Sequence, residues 1–155
     1  MNTRSEVVCS KKFPHAAFTI EIAGSTLISE LEGQWSTDVS NSYIANVKQE
    51  VSLRFAKRWL HIVLLDNWDL TTFDAMDNFT EYGIWCYENG VKASFYVYQT
   101  NPLKRYQLAK MLPERAKDYV SFHVDNIEDA FLYASENDFL DQPKPNNQAI
   151  NTFNA

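Results

Sequence analysis

The stretch Trp59-Leu60-His61-Ile62-Val63-Leu64-Leu65 constrains the fold more than any other part of the chain, because it is a near-continuous apolar run closed abruptly by Asp66-Asn67. A run of this kind suits a strand covered on both faces, and such strands belong in the middle of a sheet flanked by helices. The polar segment behind it, Asp66 to Asp74, reads as a loop leading into a helix start. In open α/β sheets the ligand crevice lies outside the carboxyl ends of the strands, so this loop is the first place to look for function.

The flanking segments supply the rest of a sheet. Upstream, Phe18, Ile20 and Ile22 alternate with Thr19 and Glu21, Gly24-Ser25 turns the chain, and Leu27 to Leu31 returns, which predicts a β-hairpin. Ser36-Thr37-Asp38 offers a cap and a first-turn carboxylate, and Val39, Tyr43, Val47, Val51 and Phe55 recur every fourth residue along a helix ending near Arg58. The solvated face of that helix carries Asn46, Lys48, Gln49, Glu50 and Lys57. Downstream, Thr71-Thr72-Phe73-Asp74 has capping-box spacing, and Met76, Phe79, Gly83, Cys86 and Tyr87 mark the inner stripe of a second helix stopped by Asn89-Gly90. Lys92 to Tyr98 reads as a strand, Pro102 opens a helix that runs to Leu112 before Pro113, Tyr119 to Val124 is a short strand, and Asp125-Asn126 caps a last helix. The order β-β-α-β-α-β-α-β-α predicts an α/β fold, a mixed sheet with parallel central strands and an N-terminal hairpin providing an antiparallel edge. Residues 1–16 read as a loose leader, 17–136 as one domain, and 137–155 as a polar, disordered tail.

Composition narrows the function classes. With 155 residues, 45% of them hydrophobic, the chain suits a single domain with a proper core. A net charge of -6 argues against duplex nucleic acid as a partner, since phosphate affinity is driven by Lys and Arg. No apolar run approaches the roughly 20 residues of a membrane-spanning helix, and a cytoplasmic location is expected. Cys9 and Cys86 do not form a disulfide framework or a metal-binding spacing.

Several of these segments together resemble a known family. The hairpin closing at Glu32-Gly33, the strand Ile62-Val63-Leu64-Leu65, the helix opening at Thr72-Phe73-Asp74, the strand from Ala93 to Tyr98, and Asn101-Pro102-Leu103-Lys104-Arg105 ahead of a helix are similar to a STAS domain of the SpoIIAA-like branch. The likeness spans Phe18 to Ser135. In anti-sigma-factor antagonists of this type the helix start carries Asp-Ser-Ser-Gly, whose first serine is phosphorylated. Here Asp74-Ala75-Met76-Asp77 stands in that place, without the acceptor hydroxyl. The resemblance therefore implies a regulatory module that docks a protein through its switch loop and following helix, with no chemistry of its own and no phospho-switch at the usual serine.

The candidate site residues follow from this loop. Asp66, Asn67, Trp68, Asp69, Thr71, Thr72 and Asp74 form the expected docking or ligand loop, and Trp68 stands out as an indole among polar neighbours with no obvious core partner. Thr71 and Thr72 could accept phosphate, but capping explains them equally well. Asp66, Asp69, Asp74 and Asp77 lack the fixed loop geometry of a calcium site, so no metal is expected, and no cofactor motif is present. His61 and His123 have no nucleophile at catalytic spacing and read as structural, which leaves an enzyme unsupported. Lys104 and Arg105, within a basic cluster that includes Lys110, Arg115 and Lys117, are candidate anion contacts. The alternative function is a carrier of a small apolar or lipid-like anionic ligand in a pocket beneath the loop, and a homodimer through an exposed edge strand or helix face is compatible with either reading.

Overall fold

The computed structural model describes residues 5–56, 58–111 and 121–137. Its elements in chain order are β1 (Ser5–Phe13), β2 (Ala16–Ala23), β3 (Thr26–Trp35), α1 (Thr37–Arg54), β4 (Trp59–Leu64), β5 (Trp68–Thr71), α2 (Phe73–Glu88), β6 (Val91–Val97), α3 (Pro102–Met111), β7 (Ser121–Val124) and α4 (Ile127–Glu136). The sheet has seven strands in the order β1-β2-β3-β4-β6-β7, with β5 also pairing β3. The first three strands form an antiparallel meander, and β3, β4, β6 and β7 run parallel. This is the expected mixed sheet with a parallel centre.

The apolar run does become the central strand. β4 sits between β3 and β6, and five of its six residues are buried. Each face of the sheet has its own core. On one face Phe18, Ile20 and Trp35 pack with Val39, Tyr43 and Val47 of α1, Phe79 and Tyr82 of α2, and Leu108 and Met111 of α3. On the other face Leu60, Ile62, Ala93 and Phe95 meet Ala130 and Ala134 of α4. Small residues on α4 let the helix lie close to the strands, and the alternation along β6 sends Ala93, Phe95 and Val97 to that side and Tyr96 and Tyr98 to the other.

The N-terminus departs from expectation. Ser5–Phe13, read as part of a loose leader, is a nine-residue strand paired antiparallel with β2. Two physical reasons hide it. It is an edge strand whose residues are exposed or only half-buried, so it lacks the apolar alternation of a covered strand. A register irregularity between Val7 and Cys9 also breaks the two-residue period. β1 therefore covers the hairpin edge that was expected to be free, while Lys11, Lys12 and the irregularity are features that discourage further edge pairing.

The second departure lies in the loop. Trp68–Thr71, expected to be loop, forms a short strand parallel to the second half of β3, with Gly33 opposite Trp68 and Trp35 opposite Thr71. β3 is long enough to pair β4 through Thr26–Glu30 and then β5 beyond it. The helix end at Leu112-Pro113, Lys57, Arg115, Lys117, Tyr119 and the tail 138–155 lie outside the described residues.

Candidate functional site

At the carboxyl end of the parallel strands the chain leaves β4 at Leu65 and is held in place by hydrogen bonds from both sides. Leu65 N–H donates to the Val97 carbonyl (2.8 Å), Trp68 N–H to the Leu65 carbonyl (3.2 Å), and Gly33 N–H to the Asn67 carbonyl (2.9 Å). Gly33 is the only residue type that fits there: its φ is +80°, and an added Cβ would lie 2.1 Å from the His15 carbonyl oxygen.

From the other side α3 grips the loop. Lys104 Nζ donates to the carbonyls of Leu65 (2.8 Å) and Asp66 (2.9 Å). Gln107 pairs with the Thr71 backbone in both directions, accepting from its N–H (2.7 Å) and donating to its carbonyl (2.9 Å). Two of the three Lys104 ammonium donors thus go to main-chain carbonyls.

The candidate loop residues divide into two sets. Asp66, Asn67, Asp69, Thr72 and Asp74 are exposed. Asp66 Oδ1 accepts from the Gln99 N–H (2.9 Å), and Asn67 Nδ2 lies 3.4 Å from Glu30 Oε2. Trp68 and Thr71 are buried, and the Trp68 indole N–H donates to Thr71 Oγ1 (3.1 Å). Trp68, only 1% exposed, is a core residue, which overturns its reading as the exposed indole of a docking surface. β5 explains the change, because pairing with β3 carries the segment against the sheet, burying Trp68 and Thr71 at its two ends and leaving Asp69 exposed between them.

The exposed aromatic of this segment is Phe73, not Trp68. It is 86% exposed at the first position of α2, beside the exposed Thr72 and Asp74. At about 100° per residue it lies roughly 120° from the centre of the arc formed by Ala75, Met76, Phe79, Tyr82, Gly83 and Cys86. A full wheel of the helix carries that signal. Leu103 (58%) and Tyr106 (62%) are exposed on α3, the helix whose Gln107 holds Thr71 two residues before Phe73. Ala75 is fully buried.

Beneath α2 and α3 there is a cavity of about 40 Å³, lined mostly by apolar side chains including Leu65, Trp68, Phe79, Tyr96 and Leu108, with His61 on its wall. His61 is buried, with Nδ1 3.3 Å from Ser94 Oγ and Nε2 3.2 Å from the Tyr82 hydroxyl. Its ring lies edge-on to Trp59 and Tyr82, and Tyr43 O–H donates to Ser29 Oγ nearby (2.8 Å). Burial pushes the imidazole down to about 3, raises the Tyr82 phenol, and pushes the Cys86 thiol up to about 12. At neutral pH this group of side chains is uncharged and hydrogen-bonded, as buried polar groups require.

A larger opening of about 260 Å³ lies past the ends of β6 and β7 and is lined by Tyr98, Thr100, Asn101, Pro102, Arg105, His123, Val124 and Asp125. The Tyr98 hydroxyl is 2.7 Å from His123 Nδ1. Asn101 Oδ1 accepts from the N–H groups of Leu103 and Lys104 (3.0 Å each), capping α3. Burial and then the Arg105 charge bring His123 down to about 4. Burial raises the Tyr98 phenol against the opposing influence of the Arg105 charge. Among the described residues no group of three or more His, Cys, Asp or Glu side chains could hold a metal ion, and no helix is long and apolar enough to cross a membrane.

A mixed sheet with an antiparallel N-terminal meander, a parallel centre and helices on both faces defines the SpoIIAA-like fold, and the chain has that fold. Among solved structures it is similar to an uncharacterized DUF3478-family protein with a SpoIIAA-like fold from Shewanella loihica PV-4, at a TM-score of 0.58 and 11% identity over 81% of this chain and 98% of the other. No family model matches the sequence, and no curated protein matches it.

Proposed function

We propose that this chain is a non-enzymatic regulatory module that docks a protein partner through the exposed start of α2 and the loop before it. The observation that carries the reading is Phe73, a large aromatic side chain 86% exposed on a helix whose other large apolar residues are mostly inward. An exposed aromatic ringed by polar residues is the kind of anchor that dominates binding energy at interfaces. Asp66, Asp69, Asp74 and Asp77 are all exposed around it. The fitting partner therefore offers an apolar pocket for Phe73 with Lys or Arg on its rim. Ala75 provides no hydroxyl, so docking here works without a phosphoserine at that position.

The carrier reading is the weaker one. Ligand pockets for drug-sized molecules occupy roughly 300–1,000 Å³, and the apolar cavity beneath the loop holds about 40 Å³. Native mass spectrometry of freshly purified protein distinguishes the two, since a carrier retains a bound mass.

The test places a photo-crosslinking phenylalanine at position 73 in the native host and identifies the adduct. With that partner purified, Phe73→Ala should weaken binding by about 30-fold or more while the thermal midpoint stays unchanged. Asp69→Lys and Asp74→Lys should slow association and flatten its salt dependence. Full affinity in folded Phe73→Ala protein would refute the reading.

A further inference from the structure

The cleft past β6 and β7 is separate from the Phe73 surface and has a different chemistry. Its location, outside the carboxyl ends of parallel strands, is where α/β sheets commonly hold small ligands. Arg105 is exposed on its wall, and among the described residues no carboxylate lies within ion-pair distance of it. The Tyr98 hydroxyl and His123 Nδ1, 2.7 Å apart, form a polar pair on the same lining as the Arg105 guanidinium.

Asn101 adds a further donor. Its carbonyl oxygen is occupied by the first N–H groups of α3, its amide NH2 has no hydrogen-bond partner among the described residues, and Thr100 contributes a hydroxyl to the same lining. Among the described residues the lining thus presents donors and one fixed positive charge in a chain of net charge -6, with Asp125 as the single carboxylate. The opening of about 260 Å³ suits a small metabolite rather than a peptide or a lipid tail.

We propose that this cleft binds a small metabolite through its oxyanion, a carboxylate or a phosphate held by the Arg105 guanidinium. A planar guanidinium fork matches two oxygens of either group, which a lysine would not. Asp125 opposes multiply charged anions and favours a monoanion whose hydroxyl or ammonium group can face it. The neutral His123 keeps the floor a hydrogen-bonding surface rather than a second positive charge.

Amide NMR of the full chain, titrated at constant ionic strength with sodium phosphate, sodium glycolate or sodium chloride, tests the proposal. Saturable shifts confined to Gln99–Arg105 and His123–Asp125 are expected with phosphate or glycolate at about 1–10 mM and not with chloride. The arm that saturates identifies the oxyanion. Arg105→Gln should weaken that binding about tenfold or more. If Arg105→Gln loses amide dispersion, Arg105→Lys, which keeps the charge and loses the fork, takes its place with the same expectation. Phe73→Ala should leave the shifts intact, so this site and the docking surface succeed or fail independently. Absence of saturation in both oxyanion arms, equal shifts with chloride, or unchanged affinity in the Arg105 variants would overturn the proposal.

Discussion

Acid should unfold this protein through His61, and the size of the effect follows from its burial. The imidazole is enclosed between Trp59, Tyr82 and Ser94 and is pushed down to about 3, against an ordinary value of 6.5. Above pH 6.5 the residue is neutral in both folded and unfolded chains and adds no pH dependence. Below it the unfolded chain takes up a proton that the folded chain refuses, so stability falls by about 1.4 kcal/mol per pH unit until the folded value is reached. Between neutrality and pH 4 the loss from this one residue is about 3 kcal/mol, because the interval below the unfolded value is about 2.5 units. That figure changes little if the folded value is one unit higher. It is a large share of the 5–15 kcal/mol typical of a domain. The assay is urea denaturation of the wild type and of His61→Gln at intervals from pH 7 to pH 4. Gln keeps hydrogen-bonding capacity toward Ser94 and Tyr82 but does not titrate. The difference between the two proteins isolates His61, because His123 and all carboxylates are common to both. The gap in stability should shrink or reverse by about 3 kcal/mol over that range. Parallel decline of the two proteins, or an NMR titration of His61 near 6.5, would refute the reasoning.

Two further predictions concern the loop. Trp68→Ala, which removes a fully buried indole and its bond to Thr71, should cost about 3–5 kcal/mol in chemical denaturation, so any loss of partner capture in that variant reflects unfolding. Gly33→Ala places a methyl group 2.1 Å from the His15 carbonyl at a φ of +80° and should destabilise by about 2 kcal/mol or more, read in the same assay.

The parallel half of the fold was legible because its signals are local. Asn101-Pro102 starts α3, Asn89-Gly90 ends α2, and the period of Val39, Tyr43, Val47 and Val51 marks α1. β1 was hidden for the opposite reason. Its strand character comes from pairing with β2, a contact distant from its own side-chain pattern, and an edge strand with one half-covered face offers little periodicity to read. β5 was hidden by length, since four residues with polar neighbours look like loop until β3 is known to extend beside them. The site was legible in place but not in detail. Asp66 to Asp74 does lie at the carboxyl end of the central strand, yet Trp68 is buried once β5 pairs with β3, and Phe73 is the exposed aromatic. Lys104 and Arg105 are adjacent in sequence, and helical geometry separates them, one to the loop carbonyls and one to the Tyr98–His123 cleft.

The grip of α3 on the loop has a mechanical consequence. With Lys104 tied to Leu65 and Asp66, and Gln107 clasping the Thr71 backbone in both directions, the segment preceding α2 is coupled to α3 as one body. A load on the start of α2 therefore reaches α3 through the paired Thr71–Gln107 bonds, and Gln107 is the side chain on which that transmission turns.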